Sequence, residues 1–179
     1  FYDEGNPSGT IKSTNFSTLT DQDGQAFTWA YIYCFAEDKN GRVWMGTNNG
    51  VIEFNPKNVF NSNFRINRIK VPRNDGTQYA DYLLDATDVT CIAVDGANRK
   101  WIGTKFSGLF LVSADGSEIL EQYTQSNSEL TNNQILSLTC NPDNNSVYVG
   151  TVNGLMEVGS DAAPAESNYD NIYAYPNPV

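Results

Sequence analysis

The chain has 179 residues, 40% hydrophobic and 18% charged, with a formal net charge of −10 and no histidine. This length suits one domain or part of a larger one. The apolar content excludes a disordered chain, and no apolar run reaches the roughly 18 residues of a membrane helix. The missing histidine removes Ser-His-Asp and Cys-His nucleophiles and His-ligated zinc. Residues 57–105 carry eight basic and five acidic groups, while 106–179 carry nine acidic groups and no Lys or Arg. Nucleic acid is therefore disfavoured as a partner, and only the middle third of the chain would attract an anion.

The chain begins at Phe1 with no initiator Met and no basic-then-apolar leader, as a cut or processed form would, which leaves export open. The first element is an isolated strand over 10–20. Asp21-Gln22-Asp23-Gly24 starts like a calcium loop, but position 12 is Ile32 rather than Glu, so a polar hairpin turn is expected there. No metal centre and no cofactor are predicted.

Three units then share one pattern, at Tyr31–Phe54, Val89–Val112 and Ile135–Val158. Each has an apolar strand, a polar turn, an aromatic–apolar–Gly–Thr strand, a Gly turn and another apolar strand. The aligned residues are Trp44, Gly46 and Thr47; Trp101, Gly103 and Thr104; and Tyr148, Gly150 and Thr151. Packing and turn geometry are the roles expected of them. Asp38, Asp95 and Asp143 recur before the turns, where Asp bonds nearby backbone N–H groups. Fourth strands are expected at 64–71 after the first unit and 117–123 after the second, with none after the third.

Four short strands per unit of about 40–50 residues predict an all-β fold, a partial β-propeller with about three four-stranded blades. The blades fall around 31–72, 89–124 and 135–158, within a propeller fragment over 1–159. Three blades cannot close a ring that needs roughly four to eight. Cys34 and Cys91 both stand twelve residues before their Gly, and Cys140 is offset by two, which would keep the same strand face. Equivalent positions in neighbouring blades lie too far apart to bond, so free buried thiols are expected.

The linking segment holds Arg65, Arg68, Lys70 and Arg73 within nine residues. Two readings stand side by side. Basic side chains guard an exposed edge strand against unwanted pairing, or they contact phosphate or carboxylate groups of a ligand. Asp81 and Asp85 follow, but nothing in the sequence brings an acid and a base together, so catalysis is not expected.

The run Asp38–Thr47 with Gly50-Val51 resembles the two-component regulator propeller repeat, in which a D-x-x-G-x-x-W-x-G-T strand pair precedes a G-L turn. The second unit fits with Asp95, Trp101, Gly103, Thr104, Gly108 and Leu109; the third departs further, with Tyr148 for Trp. The tail, Asn171 to Val179, resembles the opening of the sorting domain of type IX secretion substrates, so 160–179 is expected to be a linker and the start of such a domain; a plain linker is the other reading. The stretch from Arg65 to Thr104 is similar to the propeller of PorZ-like proteins. That resemblance implies an exported Bacteroidetes protein, at the cell surface or in the periplasm. It would bind protein partners of a surface complex or an anionic glycolipid such as lipopolysaccharide. Alternatives are the extracytoplasmic sensing propeller of a hybrid two-component regulator and, more remotely, a propeller glycan lyase or hydrolase.

Overall fold

The structure is a computed structural model and describes residues 16, 18–73, 75–143 and 145–161. Short β-branched and aromatic runs between Asn, Asp and Gly turns make every strand. β1 (Leu19–Thr20) and β2 (Ala26–Phe27) form a small hairpin. β3 (Ile32–Glu37), β4 (Val43–Thr47) and β5 (Gly50–Phe54) form the first blade. β6 (Lys70–Pro72) and β7 (Ala80–Tyr82) form a second hairpin. β8 (Val89–Val94), β9 (Lys100–Thr104), β10 (Leu109–Val112) and β11 (Ile119–Tyr123) form the second blade. β12 (Ile135–Asn141), β13 (Ser146–Thr151) and β14 (Gly154–Gly159) form the third. β8 packs against both β3 and β12, so the first strands sit side by side and the blades fan outward as a partial β-propeller.

The blades share one register. Cys34 lies opposite Gly46, Cys91 opposite Gly103 and Ser137 opposite Gly150, each just after a bulge. A Cβ on Gly46 or Gly103 would stand 2.5 Å from the facing sulfur, and one on Gly150 2.4 Å from Ser137 Oγ. This Gly is therefore required by the side chain across from it rather than by a turn. The Thr that follows caps the next turn: Thr47 Oγ1 donates to Gly50 O at 2.9 Å and Thr104 Oγ1 to Gly108 O at 2.8 Å. Cys140 lies opposite Val147, three places beyond Ser137, and so on the other face from Cys34 and Cys91. The third turn is one residue longer, which breaks the count from Gly150. The three cysteines are free, Cys91 buried and the others half-buried. Burial pushes the Cys34 thiol up to about 12 and those of Cys91 and Cys140 up to about 11.

Two interfaces hold the three blades. Trp44 and Val51 of the first blade pack on Val89, Ile92, Ile102, Phe110 and Val112 of the second. Trp101, Leu109 and Leu111 of the second pack on Ile135, Val147 and Val149 of the third. On the outer side of the first blade, Leu19 and Phe27 of the β1–β2 hairpin cover Met45 and Ile52.

That hairpin changes two expectations. The segment 64–71 does not form a continuous fourth strand. Asn67 bridges Glu53 alone, Thr20 O takes the Ile66 N–H, and the Gln22 side chain takes both the N–H and the C=O of Arg68. The hairpin thus occupies groups that a fourth strand would have offered. Among the described residues four strands stand in the second blade only. Of the isolated strand expected over 10–20, the described end is β1, and it pairs with β2. The tail from 162 lies outside the described residues.

One turn recurs four times. Asp21, Asp38 and Asp95 each accept two backbone N–H groups on Oδ1, two and four residues on, at 2.8–3.0 Å. In the third blade Asn141 takes this place, accepting from Asp143 N at 2.9 Å, so Asp143 is not the equivalent of Asp38 and Asp95. The other oxygen separates the copies. Asp38 Oδ2 accepts from Trp44 Nε1 at 3.2 Å and from Lys100 Nζ at 3.1 Å, across the blade boundary. Asp95 Oδ2 accepts from Trp101 Nε1 at 3.3 Å and Arg99 Nε at 2.8 Å. Asp21 Oδ2 is buried with no partner, because Phe27 stands where the indole would be. In the third blade Asn and Tyr148 replace Asp and Trp together, so no charge is left to offset.

Three outcomes follow from this arrangement. Trp101→Ala should cost about 3–5 kcal/mol in urea unfolding through the cavity it leaves, and Tyr148→Ala clearly less, since Tyr148 is only half-buried. Phe27→Trp should gain about 1 kcal/mol by giving Asp21 Oδ2 a donor; a loss would show that the indole does not fit. Lys100→Met should cost about 3–5 kcal/mol, because it strands the Asp38 charge. Burial opposes the Asp38 carboxylate, but bonds from the Arg42 N–H, Lys100 and Trp44 outweigh it and hold its pKa below the ordinary 3.8. Its contribution is therefore complete above that value and lost as pH falls through the lower folded value. Acid titration of unfolding should show a loss below about pH 4 that the Lys100→Met protein largely lacks.

Candidate functional site

Arg65, Arg68, Lys70 and Arg73 lie along the segment that leads from Phe64 into β6. Each meets a partner within the protein. The Arg65 guanidinium donates to Asp21 O at 3.1 Å. Arg68 reaches Asp85 at 2.5 Å and lies over the rings of Tyr82, 3.6 Å away, and Phe27, 5.2 Å away. Lys70 meets Asp23 at 2.7 Å. Arg73 makes two bonds to Asp81, at 2.8 and 2.5 Å.

The four differ in what they can offer to a ligand. The Arg68 side chain is 14% exposed, flattened between two rings, and it fastens the β1–β2 hairpin to the β6–β7 hairpin. Lys70 and Arg73 are about half exposed, at 49% and 47%, as are Asp23 and Asp81. Lys70 holds the Asp23 carboxyl below its ordinary pKa and Asp23 raises Lys70 in turn, each mainly through their hydrogen bond. Arg73 does the same to Asp81. Ion pairs this wet are worth little and exchange with solvent. Lys70 and Arg73 thus present a donor pair that a stronger anion can take over from its carboxylates, Arg65 is exposed with one bond to a backbone carbonyl, and Arg68 is committed to holding the fold.

A second exposed feature lies on β3. Tyr31, Ile32 and Phe35 stand open beside Tyr33, whose hydroxyl donates to Asp88 Oδ1 at 2.9 Å. Ile32 and Phe35 match Val89 and Ile92, which the neighbouring blade buries. At the other end Leu155 is 73% exposed, while its counterparts Val51 and Leu109 are buried. These are blade-to-blade faces on which no blade packs among the described residues.

The repeat residues take matching places. Trp44, Trp101 and Tyr148 sit on the second strand of each blade, opposite Ala36, Ala93 and Thr139. Asp81 and Asp85 are taken up by Arg73 and Arg68. Sequence reasoning passed over Lys100, and it read Asp21–Gly24 as a polar hairpin turn without relating it to the turns at Asp38 and Asp95. Lys100 could have been found from the aligned units, where it stands against Val43 and Val147 as the one charge on an apolar strand. The kinship of the Asp21 turn could have been found from its D-x-x-G-x-x-aromatic spacing, which ends at Phe27.

Among the described residues no helix is long and apolar enough to cross a membrane. A family model described as "Two component regulator propeller" matches residues 27–49, from β2 to the turn after β4. Among solved structures, the chain is similar to PorZ of Porphyromonas gingivalis, described as an essential bacterial surface component of the type IX secretion system. The identity is 38%, over 90% of this chain and 22% of that one, with a TM-score of 0.75. It also resembles the extracellular domain assigned to a hybrid two-component system of B. thetaiotaomicron, 20% identical over 82% of this chain and 20% of that one, TM-score 0.55. A structure assigned as a gluconolactonase is 12% identical over 79% of this chain and 44% of that one, TM-score 0.50. The last two likenesses concern the fold. No curated protein matches the sequence. The chain spans about a fifth of the length of PorZ. With the matched turn and tryptophan strand in its first blade and their repeat in the second, the chain is a partial β-propeller that carries a two-component regulator propeller repeat and is similar to a segment of PorZ.

Proposed function

We propose that this propeller is a non-catalytic binding and assembly unit of an exported surface protein, in the manner of a PorZ-like component of type IX secretion. The observation that carries the reading is the 38% identity with a segment of PorZ, which runs through 90% of this chain. The geometry supports a binding role over a chemical one. Asp81 and Asp85 are spent on Arg73 and Arg68, and the buried Asp38 and Asp95 each serve an indole and a cation. The uncovered apolar faces on β3 and β14 suit protein neighbours.

The ligand we propose is an anionic glycolipid, taken by Lys70 and Arg73. Lipopolysaccharide phosphates offer more charge than Asp23 and Asp81 and bond Arg in the same two-pronged way. Replacing Lys70 and Arg73 with Ser should reduce binding to purified lipopolysaccharide several-fold. Melting should hardly move, since exposed pairs contribute about 0–1 kcal/mol. Wild-type binding should weaken steeply with salt, because charges are screened within about 8 Å at physiological ionic strength. Equal binding by both proteins would remove this site.

A further inference from the structure

The boundary between the second and third blades contains a cavity of about 210 Å³. Its described lining includes Lys39, Asp95, Cys140, Asn145, Val147 and Ser160. The shared register says what this space is. At the preceding boundary the same place holds the end of Lys100. Its ammonium donates to Asp38 Oδ2 and to the carbonyls of Asn98 and Ala114, and lies 4.6 Å from the centre of the Trp44 ring. That side chain is fully buried.

One blade further on, each group has a counterpart. Asp95 replaces Asp38, and Trp101 replaces Trp44. Asn145 replaces Asn98, both with positive φ in the turn. Ser160 replaces Ala114, two residues past the Val that faces the lysine position. Val147 alone does not follow: it stands where Lys100 stands and stops two carbons and the nitrogen short. The acceptors of a buried lysine are kept, and the lysine is gone.

We propose that this cavity is a binding site for a primary alkylammonium group, such as a lysine side chain. A cavity of roughly 150 Å³ holds a benzene-sized molecule, so the space takes a butylammonium chain. Asp95 Oδ2 is the central acceptor, and the Asn145 carbonyl, which accepts from Ser160 N at 2.8 Å, keeps a second lone pair. Trp101, fully buried, holds the same Oδ2 in place with its indole N–H at 3.3 Å. Asp95 now bonds Arg99, because Leu111 stands where Glu53 draws Arg42 away from Asp38. Arg99 has somewhere else to go: its other nitrogen already meets Asp161 at 2.7 Å and Ser160 Oγ at 2.9 Å. An entering ammonium shares or takes over Oδ2 while Arg99 moves onto Asp161.

The test uses the full chain with n-butylammonium as probe and matched sodium chloride as the control for ionic strength. Millimolar butylammonium should raise the melting temperature by about 2–4 °C. 1-Butanol and tetramethylammonium should not, since one lacks the charge and the other the N–H donors. Alkylation of Cys140 by iodoacetamide in the native protein should slow several-fold with butylammonium present. Val147→Lys should fill the site from within and abolish both responses, while Val147→Ala should keep them. Nα-acetyl-lysine amide separates the sources: a response equal to butylammonium points to a lysine on a protein partner, and its absence to a free small amine. An equal response to butanol, or an undiminished response in Val147→Lys, overturns the proposal. If Val147→Lys does not fold, no slowing at Cys140 in the wild type overturns it independently.

Discussion

A carboxylate held inside a hairpin turn, with an indole N–H on one side and a cation on the other, is the interaction from which these blades are organised. Asp38 and Asp95 each close their own turn with one oxygen and reach into a blade boundary with the second. A buried charge of this kind is costly unless every lone pair is met. The surrounding residues are therefore constrained as a group. Where Asp and Trp are both kept, a cation follows, from the next blade in the case of Lys100 and from the same turn in the case of Arg99. Where the charge is given up, as at Asn141, the indole is given up too, and Tyr148 takes its place.

The copies that depart from the rule explain where the molecule is irregular. The β1–β2 hairpin keeps the Asp turn but lost its Trp. It is fastened instead by Gln22 on the Arg68 backbone, Arg65 on Asp21 O and Lys70 on Asp23. Half of the basic segment thus meets the acidic turn of that hairpin, through Arg65 and Lys70, and half meets Asp85 and Asp81, through Arg68 and Arg73. Surface charge and turn chemistry, which look separate along the sequence, are one contact in space.

Much of this was legible in the chain itself. The Trp–x–Gly–Thr spacing fixed the second strand of each blade, and the Asn and Gly turns fixed its neighbours. Local pattern was sufficient there because each hairpin is nearly self-contained. What sequence reading misjudged depended on partners distant in the chain. Residues 64–71 have strand composition, yet their backbone groups go to Thr20 and Gln22, some 45 positions away. Cys140 changed faces because of one inserted turn residue that spacing alone does not locate. The basic residues were visible as a cluster, but not the commitment of Arg68 beside accessible Lys70 and Arg73, since that rests on its burial against Phe27 and Tyr82.

The pairing of Cys34 with Gly46 and of Cys91 with Gly103 has a chemical consequence. Each sulfur fills the space that a β-carbon would occupy on the facing strand, and burial keeps the thiol protonated well beyond neutral pH. The thiolate is the species that oxidants and disulfides attack, so these sulfurs are screened twice, by lack of room and by lack of charge. A chain carrying them can pass through an oxidising compartment with these two cysteines reduced, needing neither a disulfide partner nor a reducing environment to keep them so. The third blade, with Ser137 in the same slot, shows that the position asks for a small, compact atom group and not for sulfur chemistry.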